Sequence, residues 1–267
     1  MINVLVNGAA GRMGREVLKT IWNADDTELM AAVDPQAAGE DAGVLMGIGS
    51  IGMEVKSDLT SALESARPDV MVDFTTPGTV YGNTMIALER RVRPVVGTTG
   101  FNPEEIQRIK DTSTKFRTGC IVAPNFAIGA LLMMRFAAEA CKYFPNVEII
   151  ELHHDQKLDA PSGTAVKTAE LITGMRGEFK QGSPLEVEKI PGARGGEFEG
   201  GIRIHSVRLP GFVAHQEVLF GGLGQTLSIR HDSISRESFM PGVLLAVRRV
   251  MGLEEAVYGL ENIIFER

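Results

Sequence analysis

The order of apolar and amphipathic segments in the first half of the chain constrains the fold most strongly. Short, uninterrupted apolar runs have the length of buried parallel strands, whereas the segments between them carry apolar residues at helical spacing. Alternating segments of these two kinds predict an α/β fold with a doubly wound parallel sheet. The predicted strands are residues 2–6, 29–33, 70–74, 94–98 and 120–123, and the predicted helices are residues 12–22, 58–66, 80–90 and 103–112.

The pattern changes after Asn125, which indicates a second domain. A long apolar helix and a strand come first, and residues 191–201 are so rich in glycine that we expect a loop without a regular element. Three apolar runs then predict an antiparallel meander, and a last helix is expected to return to the first domain. These predicted elements are, in order, helix 128–142, strand 147–152, strands 202–208, 213–220 and 225–231, and helix 238–251.

We therefore predict two domains. Residues 1–126 and 236–267 form a dinucleotide-binding domain with a Rossmann-like sheet, and residues 127–235 form an α+β domain with a mixed or antiparallel sheet. We expect the second domain to bind the substrate.

The overall charge limits the classes of partner. The chain has 267 residues, of which 44% are hydrophobic, and a net charge of -7. An acidic protein has no general attraction for nucleic acid or for an anionic membrane, so we expect neither as a partner. The two cysteines, Cys120 and Cys141, form no C-x-x-C motif, and no basic leader precedes the first apolar run. We expect a cytoplasmic protein in which any site for an anion is local.

The segment VLVNGAAGRMGRE places Gly8, Gly11 and Gly14 directly after the first strand and at the start of the first helix. Backbone N–H groups in such a turn can approach a pyrophosphate closely because glycine has no Cβ, and the helix dipole favours negative charge. The position favours a dinucleotide site. A purely structural turn is the alternative, because this glycine spacing is less specific than G-x-G-x-x-G.

Asp34 follows the second strand, where an acidic residue accepts hydrogen bonds from the ribose hydroxyls of a bound dinucleotide. Pro35 and Gln36 come next, and no arginine lies beside them to neutralise a 2′-phosphate. The sequence therefore predicts NADH in preference to NADPH. Asp34 as a simple turn residue before proline is the alternative.

Three loops at the carboxyl ends of predicted strands are expected to complete the cofactor site, because ligands of open α/β sheets bind at that edge. They are residues 75–77 (TTP), 97–100 (GTTG) and 123–126 (APNF). Their small and hydroxyl-bearing side chains suit close contact with ribose and nicotinamide. The same composition is also ordinary for turns.

The segment ELHHDQKLDAPSGTA, residues 151–165, gathers potential cations ahead of a helix start. Side chains alternate faces along a strand, so His153 and His154 cannot both point into one site unless the strand ends between them. The N–H groups of Gly163 and Thr164, in the first turn of a predicted helix, suit a carboxylate. Together with Lys157 they predict a pocket for a small substrate with more than one negative charge. The scattered His205, His215 and His231 are better explained as surface or core residues.

Two other chemistries fit the sequence less well. His153, His154, Asp155 and Asp159 are potential metal ligands, but adjacent histidines of one extended segment seldom share a metal, so we predict no metal site. Cys120 and Cys141 lie in apolar surroundings typical of small buried side chains, not of activated thiolates.

The sequence resembles the dihydrodipicolinate reductase family of bacterial lysine biosynthesis, through the diaminopimelate route. The resemblance runs in order along nearly the whole chain, through the segments VNGAAGRMG, VDFTTP, VVGTTG, APNFAIG, ELHHDQKLDAPSGTA and HSVRLPGFVAHQEVLFGG. The motif HH-x-x-K-x-D-A-P-S-G-T-A is highly specific, whereas the glycine motif alone would indicate only a Rossmann-like domain. The resemblance implies NADH- or NADPH-dependent reduction of a cyclic dicarboxylate, 4-hydroxy-tetrahydrodipicolinate or dihydrodipicolinate, to tetrahydrodipicolinate.

The resemblance also implies roles for individual residues. His153 and Lys157 match the positions that supply protons, and His154, Gly163 and Thr164 match those that bind the substrate carboxylate. Residues that match the cofactor contacts are Gly8, Ala9, Ala10, Gly11, Arg12, Met13, Asp34, Gly97, Thr98, Thr99, Ala123, Pro124, Asn125 and Phe126.

Members of this family are homotetramers assembled through the sheet of the second domain, and we expect the same here. Many relatives carry a basic residue just after the acid of the second strand, where this chain has Pro35 and Gln36. This difference puts the use of NADPH in question but not the reaction. A thiol-dependent dehydrogenase and a non-catalytic nucleotide sensor are the two alternative functions.

Overall fold

The structure is a computed structural model that describes residues 1–177, 179–183 and 185–265. The strands are β1 Ile2–Asn7, β2 Thr27–Val33, β3 Val70–Asp73, β4 Arg93–Val96, β5 Cys120–Val122, β6 Asn146–His153, β7 Gly196–Phe198, β8 Ile202–Arg208, β9 Ala214–Gly222, β10 Gln225–Ser233 and β11 Ala256–Tyr258. The helices are α1 Arg12–Asn23, α2 Ala42–Met46, α3 Leu59–Ala66, α4 Val80–Glu89, α5 Pro103–Phe116, α6 Ile128–Ala140, α7 Gly163–Arg176, α8 Met240–Val250 and α9 Glu261–Ile264.

The chain divides into two compact units. Unit 1 contains Met1–Phe126 and the segment from Phe239 onward, and unit 2 contains Ala127–Ser238. No helix of the described residues is long and apolar enough to cross a membrane.

Unit 1 is built on a six-stranded parallel sheet in the order β11-β5-β4-β3-β1-β2. The prediction of a doubly wound parallel sheet is thus confirmed. Apolar residues of the strands pack against the helices, as Leu5 and Met71 do with Leu63 of α3, and both strand residues are fully buried. The edge strand β11 and the five-residue helix α2 were not predicted, because segments this short contain too few residues to establish a period.

Local sequence signals explain where several helices start. Helix α5 begins with a capping box, in which Asn102 accepts a hydrogen bond from the Glu105 N–H and the Glu105 carboxylate accepts one from the Asn102 N–H. Pro103 occupies the first turn of α5. The side chain of Ser162 caps α7 by accepting a hydrogen bond from Ala165 N–H, at 3.2 Å.

Unit 2 contains a five-stranded mixed sheet in the order β10-β9-β6-β8-β7. The central strand β6 is parallel to β8 and antiparallel to β9, and β9 and β10 form a hairpin. The predicted meander is therefore correct for β9 and β10 but wrong for β8 and β9, because β6 lies between them. Turn composition reports which segments are close in sequence, and it contains no information on a strand inserted from elsewhere.

The glycine-rich segment 191–201 also departs from the prediction of a loop without regular elements. Gly196–Phe198 forms the edge strand β7, paired antiparallel with β8, and Glu199–Gly201 forms a 3₁₀ turn. Strand pairing requires only backbone N–H and C=O groups, so a sequence without β-propensity can still add an edge strand.

One face of the unit 2 sheet is covered by α6 and α7, and it determines where the candidate site lies. Val147, Ile149 and Glu151 alternate along β6 and are buried, whereas Glu148 and Ile150 between them are partly exposed on the opposite face. The strand ends at His153. A buried carboxylate two residues before the strand end is the main anomaly of this pattern, because acidic residues are almost never fully buried unless paired.

Candidate active site

The glycine turn of unit 1 is packed too closely for side chains. Gly8 has a φ of 81°, and a Cβ on it would lie 2.7 Å from the carbonyl oxygen of Phe74. A Cβ on Gly14 would lie 1.9 Å from the carbonyl oxygen of Gly8. Both glycines are therefore required for the contact between the turn, α1 and the loop after β3, and the resulting cradle fits the pyrophosphate of a dinucleotide.

Asp34 joins the end of β2 to this turn. One carboxylate oxygen accepts a hydrogen bond from Ala10 N–H at 3.0 Å, and the other accepts one from Gln36 N–H at 2.9 Å. Each carboxylate oxygen can accept a further hydrogen bond, so the group is able to hold the turn and bind hydroxyls at the same time. The exposed Lys56 pairs with Val33 through the backbone, and its carbonyl oxygen accepts a hydrogen bond from Asp34 N–H.

The other loops predicted to contact the cofactor follow strands of the same parallel sheet. Gly97 follows β4, and a Cβ on it would lie 2.1 Å from the ring of Phe74. The Phe74 ring in turn contacts the ring of Phe126, with centroids 5.7 Å apart. The structure thus places residues 8–13, Asp34, 97–99 and 123–126 at the carboxyl ends of β1, β2, β4 and β5.

A buried carboxylate, Asp73, organises the end of β3. It accepts hydrogen bonds from the side-chain amides of Asn7 and Asn83, at 2.8 and 3.0 Å, and from the backbone N–H and hydroxyl of Thr75, at 2.9 and 2.6 Å. Burial raises the pKa of Asp73, although each of these hydrogen bonds lowers it. The network contains no cation, and it fixes the loop at residues 75–77 relative to β1 and α4.

The second group of predicted residues lies in unit 2, between the end of β6 and the first turn of α7. His153 is the last residue of β6 and His154 follows it, as the alternation of strand side chains requires. Lys157 lies in the turn that comes next, where its N–H donates to the carbonyl oxygen of His154 and its Nζ donates to Asp159 Oδ1 at 2.6 Å. Gly163 and Thr164 begin α7.

Glu151 connects the elements of this site. His153 Nδ1 is hydrogen-bonded to Glu151 Oε2, and Arg208 of β8 donates from Nη1 to Oε2 at 2.8 Å and from Nη2 to Oε1 at 2.7 Å. Oε1 also accepts a hydrogen bond from Ser162 N–H at 3.3 Å. Burial alone would raise the pKa of Glu151, but hydrogen bonds from His153, Arg208 and Ser206 outweigh it and lower the pKa to about 2. The carboxylate is therefore ionised at neutral pH.

The start of α7 offers free donors. Ser162 caps the helix through Ala165, but no acceptor among the described residues takes the N–H groups of Gly163 or Thr164. A Cβ on Gly163 would meet no atom within 4 Å, and its φ is not in the left-handed region. Neither packing nor backbone conformation among the described residues therefore requires glycine at this position.

Glu151 and Arg208 were not predicted from the sequence as members of this site. The two-residue period of a strand puts Glu151 on the same face as His153, so this partner was detectable from the sequence. Arg208 was not, because its position beside His153 depends on the parallel register of β6 and β8. Long-range register of this kind cannot be derived from local sequence.

The other ionisable groups fit structural roles. His205 pairs with Glu148 at 2.8 Å, and His215 pairs with Asp232 at 2.6 Å. Cys120 and Cys141 are buried free thiols, and burial raises the pKa of both. In the described part of the chain, no group of three or more His, Cys, Asp or Glu side chains is arranged to hold a metal ion.

Comparison with known proteins identifies the family of the chain. Residues 2–126 match the family described as "Dihydrodipicolinate reductase, N-terminus", and residues 129–264 match "Dihydrodipicolinate reductase, C-terminus". The 4-hydroxy-tetrahydrodipicolinate reductase of Desulfitobacterium hafniense is 56% identical over 98% of both chains.

Solved structures extend the comparison to the fold. The dipicolinate-bound dihydrodipicolinate reductase from Paenisporosarcina sp. TG-14 superposes with a TM-score of 0.88, at 50% identity, over 98% of this chain and 99% of that one. An amine dehydrogenase from Mycobacterium smegmatis shares the fold alone, with a TM-score of 0.69 at 15% identity, over 97% and 95% of the two chains. The family matches along both units and the identity to full-length relatives show that this chain belongs to the dihydrodipicolinate reductase family.

Proposed function

We propose that this chain reduces 4-hydroxy-tetrahydrodipicolinate, or the dihydrodipicolinate formed from it by loss of water, to tetrahydrodipicolinate with NAD(P)H. The observation that carries the proposal is the combination of His153, His154 and Lys157 with two N–H groups at the start of α7 that have no acceptor in the described part of the chain. A relative of 56% identity has the matching name. In cells this reaction belongs to the diaminopimelate route to lysine, and we place it in the cytoplasm.

The substrate class follows from the charges of the site. A cyclic dicarboxylate has two anionic groups, and the amides of Gly163 and Thr164 with the imidazole of His154 suit one of them. The Paenisporosarcina relative was solved with dipicolinate, a planar pyridine dicarboxylate. We expect dipicolinate to compete with the substrate of this chain, and inhibition that is not competitive would exclude a shared pocket.

Unit 1 is proposed to hold the cofactor. The close-packed turn at Gly8 and Gly14 takes the pyrophosphate, and Asp34 accepts hydrogen bonds from the adenosine ribose. The reduced nicotinamide supplies a hydride when it is bound. The loops at residues 97–99 and 123–126 are proposed to enclose the nicotinamide ring.

The side chains of unit 2 are proposed to supply the proton that completes the reduction. Reduction of the ring C=N or C=C bond adds one hydride and one proton, and the proton must come from an acid in reach of the ring. Lys157 Nζ donates a hydrogen bond to Asp159, and His153 contacts Glu151 through Nδ1, while its Nε2 has no hydrogen-bond partner among the described residues. We assign the proton to this pair.

Replacement of the two acids tests the assignment. His153→Ala and Lys157→Ala are each expected to lower kcat by about 10²-fold or more, because a positioned acid contributes about 10²- to 10⁴-fold. Dissociation constants for NADH, measured by fluorescence titration, should stay unchanged in both variants. His205→Ala is the matched control, since this histidine pairs with Glu148 on the other face of the sheet. Wild-type kcat in both test variants would refute the proposal.

We propose NADH as the preferred cofactor, on the basis of Asp34 followed by Pro35 and Gln36. Lys56 is the residue that the structure adds to this question, because its backbone pairs beside Asp34 and its side chain is exposed. We expect a higher kcat/KM with NADH than with NADPH. Lys56→Ala should reduce any residual NADPH activity and leave NADH activity unchanged. A clear NADPH preference in the wild type would overturn the argument from Asp34.

The outer face of the unit 2 sheet is the surface proposed for assembly into a homotetramer. Ile150 and Leu152 of β6 lie on it, partly exposed, beside Leu219 of β9. Burying these apolar side chains in an interface between subunits favours association of the subunits. Sedimentation or light scattering measures the mass directly, and a monomer would contradict the assembly without affecting the assigned chemistry.

The two alternative functions make different predictions. A thiol-dependent dehydrogenase requires a reactive thiolate, whereas Cys120 and Cys141 are buried with raised pKa values. Alkylation of the native enzyme should therefore leave activity intact. A non-catalytic nucleotide sensor would bind NADH but show no turnover in a coupled assay with the condensation product of aspartate semialdehyde and pyruvate.

A further inference from the structure

Glu151 has an environment that its place in the chain alone does not explain. Its side chain is fully buried, and three separate parts of unit 2 donate hydrogen bonds to it: His153 from the same strand, Arg208 from β8 and Ser162 from the cap of α7. Arg208 also donates from Nη2 to the carbonyl oxygen of Asp159, at 2.8 Å. The carboxylate thus links the strand end, the loop of residues 154–161 and the helix start.

We propose that Glu151, held in place by Arg208, is a positioning residue that keeps a proton on Nδ1 of His153 and leaves Nε2 as the atom that exchanges a proton with the substrate. The inference rests on the proposed function, in which His153 takes part in protonation. It adds two residues, Glu151 and Arg208, to those needed for the reaction.

The hydrogen-bond inventory of the site leads to this assignment. An ionised carboxylate can only accept, so the imidazole nitrogen that faces it must donate. Arg208 binds both carboxylate oxygens in a forked arrangement, and this arrangement prevents the carboxylate from rotating away. A carboxylate that orients an imidazole and stabilises its protonated form is a recurring arrangement in acid–base catalysis.

Other charged groups near His153 must be included in any expectation for pH dependence. Arg208 faces it from β8, and Lys157 and Asp159 form an ion pair in the loop that follows β6. On β9 the residues in register with His153 and Glu151 are Ala214 and Gln216, which have no charge. On β10, next to Gln216, His231 has its pKa lowered by burial. Glu151 is therefore the anion in direct contact with the imidazole.

The variant Glu151→Gln tests the inference, since it removes the charge and keeps the shape. In ¹⁵N NMR spectra of the imidazoles, we expect neutral His153 to carry its proton on Nδ1 in the wild type and to shift toward the Nε2-protonated form in the variant. Loss of an opposite charge at this distance moves a titration by about 1 to 3 pH units. The basic limb of kcat/KM should therefore move to lower pH, with at least a tenfold loss of kcat/KM at pH 8.

Glu148→Gln is the matched control. Glu148 lies on the same strand and also binds a histidine and an arginine, His205 and Arg194, but on the opposite face. This variant should leave the His153 resonances and the pH profile unchanged. Equal changes in the two variants would mean that any charge lost from β6 has the same effect, which would overturn the inference.

A second variant keeps the inference testable if Glu151→Gln does not fold. Arg208→Gln removes the forked contact that fixes the carboxylate, so a larger fraction of neutral His153 should carry its proton on Nε2 than in the wild type. A His153 tautomer identical to that of the wild type would contradict the proposed role of Arg208.

The two measurements separate this inference from the proposed function. The NMR experiment reports on the contact between Glu151 and His153 without any turnover. If His153→Ala retains full activity while Glu151→Gln still changes the tautomer, the catalytic assignment of His153 fails and the positioning by Glu151 remains correct. An unchanged tautomer in Glu151→Gln refutes the positioning even when His153→Ala is inactive.

Discussion

Two clusters of the same composition lie on opposite faces of β6, and they differ in almost every physical property. Glu151 binds His153 and Arg208, and Glu148 binds His205 and Arg194. The side chain of Glu151 is fully buried, whereas that of Glu148 is 27% exposed. In addition, the Glu151 cluster contacts the cap of α7, where two N–H groups have no acceptor among the described residues.

The difference shows that residue types alone do not define a site. In both clusters burial raises the carboxylate pKa and hydrogen bonds from arginine and histidine lower it, with a net decrease. Burial strengthens each charge interaction because the surrounding dielectric constant is low. We therefore assign a role in positioning to the buried cluster and a role in the outer sheet face to the exposed one.

The largest expected difference between the clusters is in stability. Glu151→Ala leaves the guanidinium of Arg208 without its carboxylate partner, and breaking a buried ion pair typically costs about 3 to 5 kcal/mol of unfolding free energy. Glu148→Ala breaks a partly exposed pair, which is worth about 0 to 1 kcal/mol. Urea denaturation of both variants measures this difference. Equal losses would mean that burial does not distinguish the clusters.

The next expected difference concerns stability in acid. The folded state holds the pKa of Glu151 at about 2, below the value of about 4.3 for a glutamate in an unfolded chain. A lowered pKa of this kind adds stability above pH 4.3, and this stability is lost as the pH falls toward 2. We expect Glu151→Gln to flatten the decrease in unfolding free energy between pH 5 and pH 2.

Glu148→Gln is the control for this measurement. The side chain of Glu148 is partly exposed, so its carboxylate interacts less strongly with the surrounding protein than that of Glu151 does. Its pKa is also lowered, so its replacement should flatten the same curve to a lesser extent. The order wild type, Glu148→Gln and Glu151→Gln, from steepest to flattest, is the expected result. A reversed order of the two variants would contradict the assignment of the stronger interaction to the buried cluster.

The sequence predicted much of this molecule where the signals are local. Continuous apolar strands identified the parallel sheet, and the positions of Gly8 and Asp34 follow from the first and second strands. The candidate substrate residues from His153 to Thr164 could be predicted as a group because they are contiguous in the sequence. The pairing of β6 with β8, and with it the contact between Glu151 and Arg208, was not predicted because these two residues lie 57 positions apart in the sequence.

The candidate sites of the two units also differ in how far the sequence predicts them, and the reason is again that some contacts depend on the fold. In unit 1 the buried carboxylate of Asp73 is held by the neutral side chains of asparagine and threonine. Burial raises the pKa of Asp73, whereas at Glu151 the hydrogen bonds from His153 and Arg208 outweigh burial and lower the pKa. Glycine spacing is visible in a sequence, but the sign of a pKa shift depends on which partners the fold supplies.

The smallest expected effect concerns the helix start that adjoins only the buried cluster. Gly163→Ala adds a methyl group where the structure has open space, so stability should change little. A bound carboxylate would occupy that space in the proposed function, and loss of one charge-assisted hydrogen bond costs about 1.5 to 3 kcal/mol. We therefore expect KM for the dicarboxylate to rise by about tenfold or more, with kcat less affected.

Gly174→Ala provides the control, because Gly174 lies in the same helix and a Cβ there also meets no atom within 4 Å. It should leave KM unchanged and raise the melting temperature slightly, as alanine favours a helix over glycine. If both substitutions leave KM at the wild-type value, the first turn of α7 does not bind the substrate carboxylate, and proximity to that helix start no longer distinguishes the Glu151 cluster from the Glu148 cluster.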